Sequence, residues 1–158
     1  MKSKICLMLA CLVSIGAEAA DAPETIDLPP AIRAQFFANM RDHLLAIHEI
    51  QAALGSGHFE DAADIASSRL GLKAPSSAAC RMKKPGMMLP PAGADNSALS
   101  KFMPKPMHKI GYKMHTAADN FAAVARGSAG DYRKAIGALS LVTEQCTACH
   151  ASFRISNR

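Results

Sequence analysis

One short run restricts the fold of this chain more than any other: Cys146-Thr147-Ala148-Cys149-His150, close to the C-terminus. Two cysteines with two residues between them, and a histidine directly after, have the spacing of a c-type haem attachment site. On a helix of about 3.6 residues per turn, positions i, i+3 and i+4 fall on one face. Cys146 and Cys149 can then each bond one vinyl group of the same porphyrin, while His150 turns its imidazole onto the iron. Two other chemistries use similar spacing. A zinc site would want a second ligand pair, and Cys80 is the only other cysteine expected to survive processing. A thioredoxin-like redox pair would want strands around it, and no strand pattern is evident. The expectation is therefore a helix that carries a covalent haem c.

The start of the chain reads as a leader. Residues 1–20 have a short basic start (Lys2, Lys4), an apolar run from Ile5 to Ile15, and small residues around Ala19 and Ala20, where cleavage fits. The apolar run is too short to span a membrane. Leu9-Ala10-Cys11 resembles a lipoprotein site but lies too early to follow a full apolar region. Export to the periplasm is expected, with no membrane anchor after the leader is removed. Residues 21–158 are then long enough for one domain with a real core. Processing takes the net charge from +5 to +4, since Lys2, Lys4 and Glu18 leave. That mild basicity does not argue for nucleic acid, and no nucleic-acid motif is present. Three remaining cysteines are too few for a disulfide framework.

Plentiful Ala and Met, few aromatics and no β-branched runs make the composition all-α. A first helix begins at Leu28-Pro29-Pro30, because proline suits the first helical turn. Its stripe is Ile32, Phe36, Met40, Leu44, Ile47 and Leu54, and Gly55-Ser56-Gly57 ends it. A second helix runs from about His58 to Leu70, with Gly71 as C-cap. Residues 72–105 hold five prolines and read as a long loop, with a short helical turn near Ser97–Met103. A third helix runs from about Pro106 to Arg126, on the stripe Ile110, Met114, Ala117, Phe121 and Val124. The fourth starts at Gly130-Asp131, and Tyr132, Ile136, Leu139, Val142, Cys146, Cys149 and Phe153 form its inner face. Short connections between the first and second helices, and between the third and fourth, make antiparallel neighbours. The expected fold is an antiparallel four-helix bundle.

A single haem motif at the extreme C-terminus, on the last of four amphipathic helices, resembles class II cytochromes c, the cytochrome c-prime family. Phe153 and Arg154, three and four residues after His150, match an aromatic and a basic residue common in that family. The resemblance spans roughly residues 30–156 and is specific at Cys146–Arg154 and in the helix plan. The loop between the second and third helices is longer than the family leads one to expect. The resemblance implies a haem within the bundle, bonded to the fourth helix, with the first helix crossing its other face. Phe36, Leu44, Phe153 and Arg154 would be haem contacts. Of the residues on the first helix, Met40 stands about where the family places its distal residue, with His43 the alternative iron ligand. A Met/His pair raises the haem potential and suits electron transfer. An open site would instead bind small gases such as nitric oxide.

Other features admit other readings. Met107, His108, Met114 and His115 on the third helix, with the loop methionines, offer thioether and imidazole donors that suit copper. Met is also a common core filler. His48 and His58 read as surface residues near helix ends. Cys80 reads as a free or partly buried thiol, or as the link of a disulfide-bonded homodimer. Arg81, Lys83, Lys84, Lys101, Lys105, Lys109 and Lys113 crowd one region with Asp95 as its one acid, which would steer an acidic redox partner. Taken together, the sequence leads one to expect a periplasmic monohaem electron carrier that is not an enzyme. A gas-binding cytochrome and a Met/His-rich copper protein are the alternatives.

Overall fold

The computed structural model describes residues 22–80 and 96–157, and this part of the chain is mostly helical. The expected leader and residues 81–95, which include Arg81, Lys83, Lys84 and the central loop methionines, lie outside the described residues. Helix α1 spans Pro30–Gly55, with Pro30 in its first turn and the Arg33 amide donating to the Pro29 carbonyl at 2.8 Å. The chain leaves α1 through Gly57, whose φ of 78° is the left-handed conformation that glycine adopts without cost. Helix α2 spans Phe59–Ile65 and continues as a π-helical turn over Ala66–Leu70. The Ser67 and Ser68 hydroxyls donate to the Asp64 carbonyl at 3.2 and 2.6 Å, an alternative to the regular helical ladder.

Gly71 does follow this helix, but not as a left-handed cap: its φ is −72°. A Cβ at Gly71 would stand 2.1 Å from Asp119 Oδ1, so it is the close approach of Asp119 that requires glycine. The long connection contains a 3-10 turn at Pro75–Ala79 and a short helix α3 at Asn96–Ser100. Helix α4 spans Lys105–Gly127 and α5 spans Tyr132–Ser152. Asp131 caps α5, its carboxylate accepting from the Arg133 and Lys134 amides at 3.0 and 3.2 Å. Among the described residues no helix is long and apolar enough to cross a membrane.

The buried faces are shifted from those expected. On α5 the buried residues are Ala135, Ala138, Leu139 and Val142, while Tyr132 and Ile136 are about half exposed. On α1 they are Phe36, Ala46, Ile50 and Leu54, and Leu44 is 71% exposed. The reason is small side chains. Ala118, Ala122 and Ala125 of α4 meet Ala135 and Ala138 of α5 in one core, and alanines let two helices approach closely where larger residues would hold them apart. This α4–α5 contact is the most extensive in the molecule.

Two features tie the helices together at their surfaces. Arg69 bridges Asp42 and Glu49 of α1, and Arg126 of α4 bridges Glu60 and Asp64 of α2. No strand was expected, yet β1 (Glu24–Ile26) pairs in parallel with β2 (Phe153–Ile155). Three residues are too few to show a period-two pattern, and their partner is 129 positions away, so only the tertiary structure reveals them.

The core is divided in two. One cluster packs Ile50, Leu54, Leu70, Phe121, Leu139 and Val142 where α1, α2, α4 and α5 meet. The other gathers Ile26, Leu28, Phe36, Leu99, Met107 and Phe153 around the strand pair. Replacing the capping residue, Asp131→Ala, should lower stability by about 1 kcal/mol, read as a shift in the denaturation midpoint.

Candidate functional site

Between the two clusters lies a cavity of about 610 Å³, within the span of roughly 300–1,000 Å³ usual for small-molecule sites. Its lining is largely apolar. Helix α1 contributes Phe36, Met40, His43, Leu44 and Ile47; α4 contributes Met107, Ile110, Gly111, Met114 and His115. Helix α5 contributes Val142, Cys146, Cys149 and His150, so the cysteine-histidine run opens onto this space. The backbones of α1 and α5 seldom come close: the cavity stands between them.

The helical phase of α5 explains the run's placement. Val142, Cys146, Cys149 and His150 follow one another at spacings of four, three and one, which keeps them on the face turned to the cavity. Cys146 and Cys149 are free and partly buried, and burial raises both thiols above their ordinary range. His150 lies at the exposed rim.

The sequence-predicted site residues divide into two groups. Met40, His43, Phe36 and Leu44 all line the cavity with the haem-type run. Leu44 does so from an exposed position rather than from the buried stripe expected of it. Phe153 and Arg154 do not line it. The helix ends at Ser152, and Phe153 turns into the strand pair, where it is buried against Ile26, Leu28 and Phe36. Arg154 Nε donates to Thr25 Oγ1 at 2.7 Å.

Three residues absent from the sequence-based haem site share the cavity wall or brace it. Ser76 Oγ lies 2.9 Å from His43 Nε2. His115, 1% exposed, donates from Nδ1 to the Leu70 carbonyl at 2.7 Å. Leu70 ends the second helix, where the last carbonyls lack intrahelical partners, so His115 caps it. Asp119, one turn further along α4, accepts from the Leu72 amide at 3.1 Å. A spacing signal existed: Gly111, His115, Ala118, Ala122 and Ala125 form one face of α4. Nothing in the sequence marks Ser76.

Cys80 also lines the cavity, with its sulfur against Gly111: a Cβ on that glycine would stand 2.3 Å from Cys80 Sγ. Burial first, and the nearby Cys149 thiol second, push Cys80 up to about 12. Cys80 is a free thiol, 8% exposed and packed against the α4 backbone.

Of the residues offered for copper, Met107, Met114 and His115 line the cavity, and His108 does not. His108 stands outside the cavity and donates from Nε2 to the Ser100 carbonyl at 3.0 Å. Among the described residues no group of three His, Cys, Asp or Glu side chains gathers as a metal site. His48 and His58 are exposed, as expected of them, and so are Lys101, Lys105, Lys109 and Lys113. Compared with known protein families, curated proteins and solved structures, the chain has no match.

Electrostatics inside the cavity centre on His43. Burial, and then the imidazole of His115 with ring centroids 5.8 Å apart, lower it from 6.5 to about 4. His43 is therefore neutral in the fold at neutral pH, while in the unfolded chain it protonates near its ordinary value. The unfolded state binds the extra proton between these values, so stability falls as pH drops below about 6.5 and levels off near 4. The full effect is about 3 kcal/mol at most. Denaturant unfolding of the wild type at pH 7 and pH 4 should show this loss, and His43→Leu should reduce it.

Proposed function

We propose that the chain is an exported monohaem c-type cytochrome that carries single electrons, with haem c held inside a four-helix bundle formed by α1, α2 and its π-helical continuation, α4 and α5. The observation that carries this reading is the joint placement of Cys146, Cys149 and His150 on an apolar cavity whose α1 wall holds Met40 and His43. The donor set suits the group: two thiols spaced for two vinyl carbons, one imidazole for iron, and apolar side chains to cover a flat macrocycle.

The bound group would supply a one-electron couple. The chain's part is to hold it and set its surroundings. Cys146 and Cys149 would anchor it to α5, and His150 would supply the proximal nitrogen. Ile47, Met114 and Val142 line the cavity with apolar side chains, which would lower the dielectric around a bound group. On the α1 side Met40 is the better distal donor. His43 Nε2 is already engaged with Ser76, and its ring edge packs against His115. A thioether donor paired with an imidazole would favour the reduced iron. Rigid helices on both sides would keep the ligands in place through the redox cycle. No substrate conversion is part of this reading. The exposed Lys101, Lys105, Lys109 and Lys113 suit a redox partner with an acidic surface.

Attachment is tested directly. With Cys146 and Cys149 both changed to Ala, haem should be extractable by acid and organic solvent from chain that otherwise retains it through denaturation. Covalent haem in the double variant would overturn the reading. His150→Ala should keep the thioethers and change the iron spectrum.

The distal assignment has its own test. Oxidised wild type should show the weak near-infrared sulfur-to-iron band of a His/Met haem. Met40→Ala should abolish it, open the iron to carbon monoxide and lower the potential, at a stability cost of about 2–5 kcal/mol. His43→Ala should leave the band in place. A wild type that is high-spin from the start, unchanged by either substitution, would favour a five-coordinate gas-binding protein instead.

A further inference from the structure

The ends of the described chain meet next to the cysteine-histidine run. Glu24, Thr25 and Ile26 of β1 pair with Phe153, Arg154 and Ile155 of β2. The Ser156 amide donates to the Ile26 carbonyl at 3.0 Å, and Arg154 Nε donates to Thr25 Oγ1 at 2.7 Å. Arg33, in the first turn of α1, reaches the Ser156 carbonyl at 3.4 Å. Beneath these bonds Ile26, Leu28, Phe36 and Phe153 are buried together, with Met40 and Cys149 packed against the same cluster.

The location of this clasp gives it a consequence. Strand β1 leads into α1 after three residues, and β2 follows α5 without a break. Elsewhere the backbones of α1 and α5 seldom come close, because the cavity stands between them. The strand pair is thus a direct tie between the start of the helix that carries Met40 and the end of the helix that carries His150. His150 itself lies three residues before Phe153, at the exposed rim, where the last turn of a helix frays most easily.

We infer that the β1–β2 clasp is a positioning element for the iron site: it fixes the spacing of α1 against α5, and so holds the proximal and distal donors in register across the cavity. Ile26, Phe153 and Arg154 are its positioning residues, and none of them lines the cavity. The inference rests on the haem c reading. Arg154, which the family resemblance marks as a haem contact, here closes the clasp through Thr25 instead.

The test uses the haem-loaded full chain in a guanidinium titration, followed by the Soret band and by far-UV helicity. Ile26→Asp places a charge in the buried cluster, and Arg154→Ala removes only the side-chain tie. Leu54→Ala is the control, since Leu54 is buried in the other cluster and lies outside both the strands and the cavity wall. Both clasp variants should lose native iron ligation at lower denaturant than they lose helicity, with a wider gap between the two midpoints than in wild type. Leu54→Ala should move both midpoints together. If the clasp variants also move both together, the strand pair contributes stability alone and the inference is overturned. Haem content of the denatured chain, measured in parallel, tells that outcome from failure of the haem reading, which would leave the chain without covalent haem.

Discussion

The separation of α1 from α5 is held by packing at two ends, and the cavity exists because the middle is left to neither. At one end Ile50 and Leu54 of α1 share a core with Leu139 and Val142 of α5 through Phe121 and Ala122 of α4. At the other, the strand pair and its buried cluster join the helix termini. A flat apolar group placed between them would contact Ile47, Met114 and Val142 from the first cluster and Phe36, Met107 and Ile110 from the second. Filling that space would merge two small cores into one. Interiors are otherwise packed with few voids larger than a water molecule. On the haem c reading, the bound group would occupy this space.

The polar groups of the cavity wall obey the same economy. A buried imidazole without a partner would cost about 1–3 kcal/mol, yet His115 and His43 each join two elements. His115 and Asp119, four residues apart on α4, receive the carbonyl and amide that the second helix leaves open at Leu70 and Leu72. The π-helical turn and Gly71 bring that helix end close enough to be received. His43 joins α1 to the 3-10 turn through Ser76. The inner wall of the cavity is thus fixed by hydrogen bonds between elements, and its shape does not rest on apolar packing alone. His43 thus has its Nε2 engaged with the scaffold, while Met40 packs against the second cluster at the cavity.

Helix limits were the most legible part of the sequence, because proline, glycine and aspartate act locally. Pro30 and Asp131 stand where the helices begin, and Gly57 and Gly130 where the backbone turns left-handed. Faces were less legible. A stripe drawn through the largest apolar residues placed Leu44, Tyr132 and Ile136 inside, whereas the contacts are made by Ala46, Ala135 and Ala138. Alanine carries too little hydrophobicity to dominate a periodicity, yet its size is what decides how closely helices pack. The cysteine-histidine run was legible because its chemistry is set by spacing along one helix. Ser76 and the strand pair were not, since each depends on a partner distant in sequence.

Burial at the cavity favours keeping a thioether-bound group and opposes making the bonds that hold it. Burial raises the Cys146 and Cys149 thiols, and the nucleophilic form of a cysteine is the thiolate. In the closed fold both sulfurs face a largely apolar space, and burial disfavours their thiolate form. The same surroundings would protect finished thioethers and exclude water from whatever they hold. On the haem c reading, attachment then belongs to a looser chain, before α1 has closed over the cysteines. The clasp is well placed to complete the fold last. Its strands flank the helices, its hydrogen bonds join residues 129 positions apart, and such long-range contacts require the intervening chain to be ordered first. Closure at that point would bring Met40 and Cys149 against one cluster.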